Sequence, residues 1–256
     1  MCAFVARYSH TMFLKLQPLL YSLLFLAGLE LIVFFHEHVP LIILFLLLMA
    51  MFQGWKIGRK WKFSVLPISF VLSSVALLYL VTIRYEQQAF IILASGMYYL
   101  SLLGAYRLSL YENDQTARGM NMAATVSTIF FVYASAYGLY LNFLVPLYYL
   151  IMAYLFATLF VSYQYFSIIH PHKKTAWIYS LLIALIMSEI VWTISFWPFG
   201  YLTSGVVALI LYFVLWDVIQ SYFLQILSKK RFVANLIFFS ILTSLVLVSS
   251  KWIPVI

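Results

Sequence analysis

Cysteine is nearly absent. Cys2 is the only one in 256 residues, which excludes an internal disulfide framework and any site built from paired metal-ligating thiols. Charge is scarce as well, at 9% Asp, Glu, Lys and Arg, against roughly a quarter in soluble globular chains. So few charges cannot coat a surface facing water, and a soluble fold is excluded. The short motifs that announce common chemistries are missing too. There is no nucleophile elbow, phosphate-cradling loop, zinc-protease helix or glycine-rich dinucleotide turn, so no motif names a reaction, a cofactor or a transported solute. The in-out alternation over about ten residues that marks an outer-membrane barrel strand is also lacking, which leaves helices as the means of satisfying the backbone in apolar surroundings.

What fills the chain is apolar: 66% of residues are hydrophobic and the mean hydropathy is +1.03. These residues come in runs of about 17–25, the length that spans hydrocarbon, separated by short polar clusters. The expectation is an all-α polytopic bundle of about nine transmembrane helices forming one domain over 1–256, with spans near 16–35, 40–52, 64–83, 89–106, 121–141, 144–166, 175–196, 201–223 and 232–250. The second run is short, which leaves open whether it spans or re-enters. Arg7 and Lys15 ahead of the first run resemble a signal peptide. That run is long, lacks a small-residue cleavage site and is followed by further spans, so it reads as the first helix.

Loop lysines and arginines are retained on the cytoplasmic side of a membrane. With nine spans and a cytoplasmic N-terminus, all of the 15 except Arg84 and Lys251 fall inside, and the C-terminus lies outside. A re-entrant second segment would move Arg7 and Lys15 outside as well, so nine spans is the better parse. Trp55, Trp61, Trp177, Trp197 and Trp252, near span ends, suit rings anchored at the headgroup level. The net charge of +8 sits in the connections, facing anionic headgroups, and nucleic acid is not an expected partner. Helices one and seven share Tyr-Ser-Leu-Leu, beginning at Tyr21 and at Tyr179, with a glutamate nine residues after the first tyrosine and ten after the second. This hints at duplication, although apolar sequence of low complexity also produces such matches by chance.

A carboxylate at mid-bilayer costs about 2.5–3.5 kcal/mol on insertion scales, which makes an intramembrane acid a candidate functional group. Glu30 and Glu189 lie on helices running in the same direction, each roughly 20 Å from the cytoplasmic boundary at about 1.5 Å per residue, and could share a site. Asp217 enters from the opposite side, sits nearer the cytoplasmic face, and reads as a secondary candidate that pairs locally. Glu189 shares a helix face with Trp192 and Phe196, three and seven residues on. Lys251 and Arg84, at the outer ends of helices nine and three, are the cations within reach of either glutamate. The candidate intramembrane polar site is therefore Glu30, Glu189, Trp192, Lys251 and Arg84. A structural ion pair or an interhelical hydrogen bond accounts for the same residues without a ligand.

Tyr133, Tyr137 and Tyr140 form a stripe at helical spacing, with Tyr148 and Tyr149 nearby, readable as aromatic packing or as an outward cavity for a lipid headgroup or a sugar. Ala134 with Gly138, and Ser204 with Ala208, are pairs of small residues four apart that let helices approach closely. His36-x-His38 and His170-x-His172 each offer two metal ligands. The parse puts the two pairs on opposite sides of the membrane and supplies no further ligands, so no metal and no cofactor is expected.

Glu189-x-x-Trp192, Phe196-Trp197-Pro198-Phe199, the basic turn Lys229-Lys230-Arg231 and the terminal Lys251-Trp252 together resemble an uncharacterised family of small multi-spanning proteins from reduced-genome candidate-phyla bacteria, over the last third of the chain. Lys251 departs from the arginine often found there in that family. The resemblance implies a bacterial inner-membrane location and no particular chemistry. The leading expectation is a non-enzymatic envelope protein that binds membrane lipid, a membrane-protein partner or a second copy of itself. A proton-coupled secondary carrier using Glu30 or Glu189, and an intramembrane enzyme acting on a lipid with Glu189 or Asp217 as acid or base, are the alternatives.

Overall fold

The computed structural model describes residues 2–111, 114–143 and 145–250, the side chains of residues 2–15, 36 and 231 excepted. Apolar sequence leaves the backbone few partners but its own, and helices pair each N–H within the segment that carries it. Nine α-helices run through the described residues: α1 (Cys2–Phe34), α2 (Val39–Gly58), α3 (Val65–Leu80), α4 (Arg84–Leu110), α5 (Gln115–Phe143), α6 (Leu147–Ile169), α7 (Lys173–Ile194), α8 (Tyr201–Phe223) and α9 (Lys229–Ser249). Each contains or overlaps a stretch long and apolar enough to cross a membrane, from Leu16–Phe34 in α1 to Phe232–Ser249 in α9.

Several helices outrun the apolar runs that predict them. α2 was expected over 40–52 and continues to Gly58, because Gln53, Gly54, Ile57 and Gly58 are buried rather than looped out. Its 20 residues correspond to roughly 30 Å, a full hydrocarbon thickness. The helix stops where Arg59 adopts the left-handed conformation at φ 55°, a common way of ending a helix. α4 starts at Arg84 rather than 89, α5 at Gln115 rather than 121, and α1 reaches back to Cys2. Polar residues cost little at helix ends that lie beyond the apolar stretch. α6 begins only after Pro146, whose extended backbone sets the turn into it.

The chain divides into two compact units, Met1–Val71 with Thr82–Ala124, and Leu72–Val81 with Thr125–Ile256, so the division falls inside α3 and inside α5. In the first unit Phe25 of α1 stacks on Tyr98 of α4 at 4.4 Å and meets Phe70 of α3 edge-on at 6.1 Å. Gly28 leaves room for Leu46 of α2 to press against α1. The Tyr98 hydroxyl donates to Gln53 Oε1 at 2.7 Å, so the amide that interrupts the second apolar run joins α2 to α4. Ser64 closes the α2–α3 turn by donating to the Met51 carbonyl at 3.0 Å.

The second unit is built around tyrosines. Tyr133 of α5 and Tyr154 of α6 stack at 4.0 Å with their planes 3° apart, and Tyr212 of α8 meets Tyr133 edge-on at 6.2 Å. All three rings are fully buried. Close approach of α5 to α8 falls at Ala134, with Ser204 and Ala208 buried on the same α8 face. Gly205, which belongs to neither expected pair, permits this approach: a Cβ there would lie 2.9 Å from the Ala134 Cα. α9 lies against α8 and buries none of its apolar stretch.

A methyl group at Gly205 would meet backbone, which cannot swing aside as a side-chain tip can, so Gly205→Ala is expected to cost about 1–3 kcal/mol. Gly96, in α4, has nothing within 4 Å of the same position, and Gly96→Ala should leave stability unchanged or raise it by up to about 1 kcal/mol through helix propensity. Thermal unfolding of the two variants in detergent should therefore shift in opposite directions.

Candidate functional site

α1 carries Glu30 to its last turn, where the side chain is half-buried. Its Oε2 accepts a hydrogen bond of 3.1 Å from Gln88 Nε2, in the second turn of α4. Arg84 opens the same helix four residues earlier, is exposed, and makes no ion pair among the described residues. The cation expected near the carboxylate is thus at the helix tip, and a neutral amide one turn along takes its place.

α7 buries Ser180, Ile183, Ala184, Met187 and Val191 along one face. Glu189 falls on the opposite face, in an exposed stripe with Leu182, Leu185, Trp192 and Phe196. Trp192 is 52% exposed and Phe196 70%, and their rings meet edge-on at 5.5 Å. Among the described residues the Glu189 carboxylate has no hydrogen-bond partner; only its backbone carbonyl is engaged, by Thr193 Oγ1 at 3.1 Å. The shared Tyr-Ser-Leu-Leu segments explain why the two glutamates differ. In both helices the serine is buried and the two leucines face outward, so the segments sit in the same rotational register. The glutamate in α7 comes one residue later, which turns it by about 100° around the axis. Glu30 consequently reaches a neighbour, and Glu189 points away from its own unit. Lys251, the expected partner at the end of the chain, lies outside the described residues.

Asp217 sits on α8 where α9 crosses it, and its Oδ2 accepts a bond of 2.7 Å from Asn235 Nδ2. Asn235 was not singled out from the sequence, although it is the lone amide in α9 and an amide in an apolar helix is a usable signal. Ser221 lines the same narrow recess.

The tyrosine stripe is taken up by the interior. Tyr133 and Thr158 share a hydrogen bond of 2.7 Å, Tyr154 donates to the Tyr133 carbonyl at 3.0 Å, Ser162 pairs with Tyr212 at 3.0 Å, and Tyr137 donates to the Ile194 carbonyl at 3.2 Å. Tyr148 and Tyr149 are exposed and lie against each other at 4.2 Å. Packing, and not an outward cavity, is what Tyr133 and Tyr137 provide. His170 stacks on Phe223 at 4.5 Å, and among the described residues no three His, Cys, Asp or Glu side chains group as metal ligands would.

Outside the apolar stretches, Asp114 joins α4 to α5. Oδ1 accepts from the Ala117 N–H at 3.1 Å, capping the start of α5, while Arg107 places Nη2 and Nε 2.7 and 2.8 Å from Oδ2. The Ala117 N–H first, and Arg107 second, hold this carboxyl below its ordinary value of 3.8.

Nine helices long and apolar enough to cross a membrane, with an interior in which tyrosine hydroxyls join neighbouring helices, are the features of a multi-pass membrane protein. The model of a family described as a protein of unknown function, DUF5656, matches residues 49–249, and the chain belongs to that family. The match runs from within α2 to the end of α9, well beyond the last third that suggested a family. It takes in Arg84, Glu189, Trp192 and Asp217, and leaves out Glu30 and Lys251-Trp252. No curated protein and no solved structure matches the chain.

A carboxyl whose value is depressed by folding stabilises the fold above its unfolded value and stops doing so as pH falls through the folded one. Wild-type thermal stability in detergent should therefore drop as pH is lowered below about 4. Asp114→Asn should start lower at neutral pH and show a smaller drop across the same window.

Proposed function

We propose that this is a protein of the bacterial inner membrane that crosses the bilayer nine times from a cytoplasmic N-terminus, and that it recognises a membrane partner through the outward stripe of α7 instead of catalysing a reaction. The observation that carries this reading is the position of Glu189. It lies five residues from the end of α7, roughly 8 Å along the axis, and so within the hydrocarbon if α7 spans. Acyl chains offer no donor to a carboxylate, and an unpaired charge there is costly. A partner that supplies a cation or an N–H to Glu189, and an apolar surface to Trp192 and Phe196, removes that cost. A helix of another membrane protein or of a second copy meets both requirements; a lipid with an amine headgroup is the second reading, favoured by the same carboxylate. Orientation is supported by the cations, which gather around the α2–α3, α4–α5, α6–α7 and α8–α9 connections and at the helix ends that flank them, with Arg84 alone at α3–α4.

Since Glu189 and Trp192 face away from their own unit, Glu189→Gln and Trp192→Ala should leave thermal stability in detergent within about 0.5 kcal/mol of wild type. Each should lower recovery of the cross-linked or co-purified partner, or of the self-associated form. A variant that unfolds early, or one that keeps full recovery, would count against recognition at this stripe. The native Cys2 tests orientation. It should resist a membrane-impermeant maleimide in intact cells and react after permeabilisation, whereas Lys251→Cys in a Cys2→Ser background should react in intact cells.

A further inference from the structure

α8 and α9 are joined by a turn that is fixed by its own backbone. Gln225 adopts φ 56°, its N–H donates to the Tyr222 carbonyl at 3.1 Å, and the Ile226 N–H reaches back to the Ser221 carbonyl at 3.0 Å, a closure of the Schellman type. Behind this turn the two helices part around a recess of about 330 Å³ lined by Val218, Leu227, Ser228, Lys229 and Phe232. A second, narrower recess shares Val218, Leu227 and Phe232 and is lined also by Asp217 and Asn235, which are hydrogen-bonded to each other. The cleft is therefore cationic where Lys229 lines it and apolar along most of its walls. Lys229 and Lys230 are exposed, and neither makes an ion pair among the described residues.

We propose that this cleft binds the phosphate headgroup of an anionic phospholipid, with Lys229 and Lys230 facing the phosphate and with Val218, Leu227 and Phe232 holding the glycerol backbone and first methylenes. The inference rests on the membrane insertion proposed above and concerns a site separate from the α7 stripe. Charge decides the class of ligand. Lysines exposed at the end of an apolar helix pair attract anionic headgroups. The walls decide the source: a free phosphate ion gains nothing from apolar contacts, whereas a lipid buries its upper chain against them.

The test uses the full-length protein in detergent micelles with spin-labelled phosphatidylglycerol or phosphatidylcholine, read as the fraction of motionally restricted label. Phosphatidylglycerol should be preferred, and each of Lys229→Gln and Lys230→Gln should lower that preference about fivefold. Val218→Trp, which fills the recess without altering charge, should lower it as well, and all variants should keep wild-type thermal stability. Equal binding of the two lipids, or a preference that survives the double lysine variant, would overturn the proposal. A preference lost with the lysines but untouched by Val218→Trp would reduce it to surface attraction and also overturn it. Displacement of the lipid by millimolar inorganic phosphate would assign the cleft to a soluble anion instead. Alkaline carbonate extraction of membranes separates the two readings: protein released to the supernatant refutes insertion, whereas protein retained in the pellet without lipid preference refutes only this site.

Discussion

A chain that is 66% hydrophobic must find partners for its own backbone, because an unpaired N–H or C=O in apolar surroundings costs several kcal/mol. Helix answers that demand locally, residue by residue, and the consequences extend through the rest of the molecule. Once the backbone is satisfied within each helix, side chains alone decide how helices pair. Among apolar helices the ordinary hydrophobic drive is weak, since acyl chains serve as well as leucines. Fit and a few hydrogen bonds then carry the specificity. Gly205 against Ala134 and Gly28 against Leu46 supply the fit. Tyr98 on Gln53 and Tyr133 with Thr158 supply the bonds.

The polar side chains follow two different rules. In the interiors of the units tyrosine hydroxyls pair with other hydroxyls, an amide or a carbonyl, as Tyr154 does with Tyr133, Ser162 with Tyr212 and Tyr98 with Gln53. Carboxylates of the apolar helices are kept toward edges: Glu30 in a last turn beside Gln88, Asp217 at a helix crossing beside Asn235, and Glu189 on an outward face. Hydroxyls can be satisfied by one good bond, whereas a charge needs solvation that a tight core does not offer.

Helix content and the number of helices were legible because both are written in long apolar runs. Three features were not. Gln53 and Gly54 look like loop residues until Tyr98 and Ser64, distant in sequence, are seen to close on them. Depth along a helix follows from counting residues, so both glutamates could be assigned to one level, but the facing direction depends on register at 100° per residue, and a single added residue in α7 turned its carboxylate outward. The lone amide of α9 could have been matched to Asp217 by weighing amides with acids, since Asn235 donates to Asp217 as Gln88 does to Glu30.

Amide partnership also bears on what these acids do. Gln88 and Asn235 each hold a carboxylate in place through one N–H, and an amide neither accepts nor releases a proton at ordinary pH. A proton carrier or an acid-base enzyme needs a second titratable group, or a bound solute, positioned to exchange with the first. Glu30 is bound to an amide, and Glu189 has no side-chain partner among the described residues. A carboxylate that faces outward beside a tryptophan and a phenylalanine, as Glu189 does, is placed to meet a group from outside its own unit. Recognition requires only that the charge be met from outside, and the α7 stripe presents its charge in that direction.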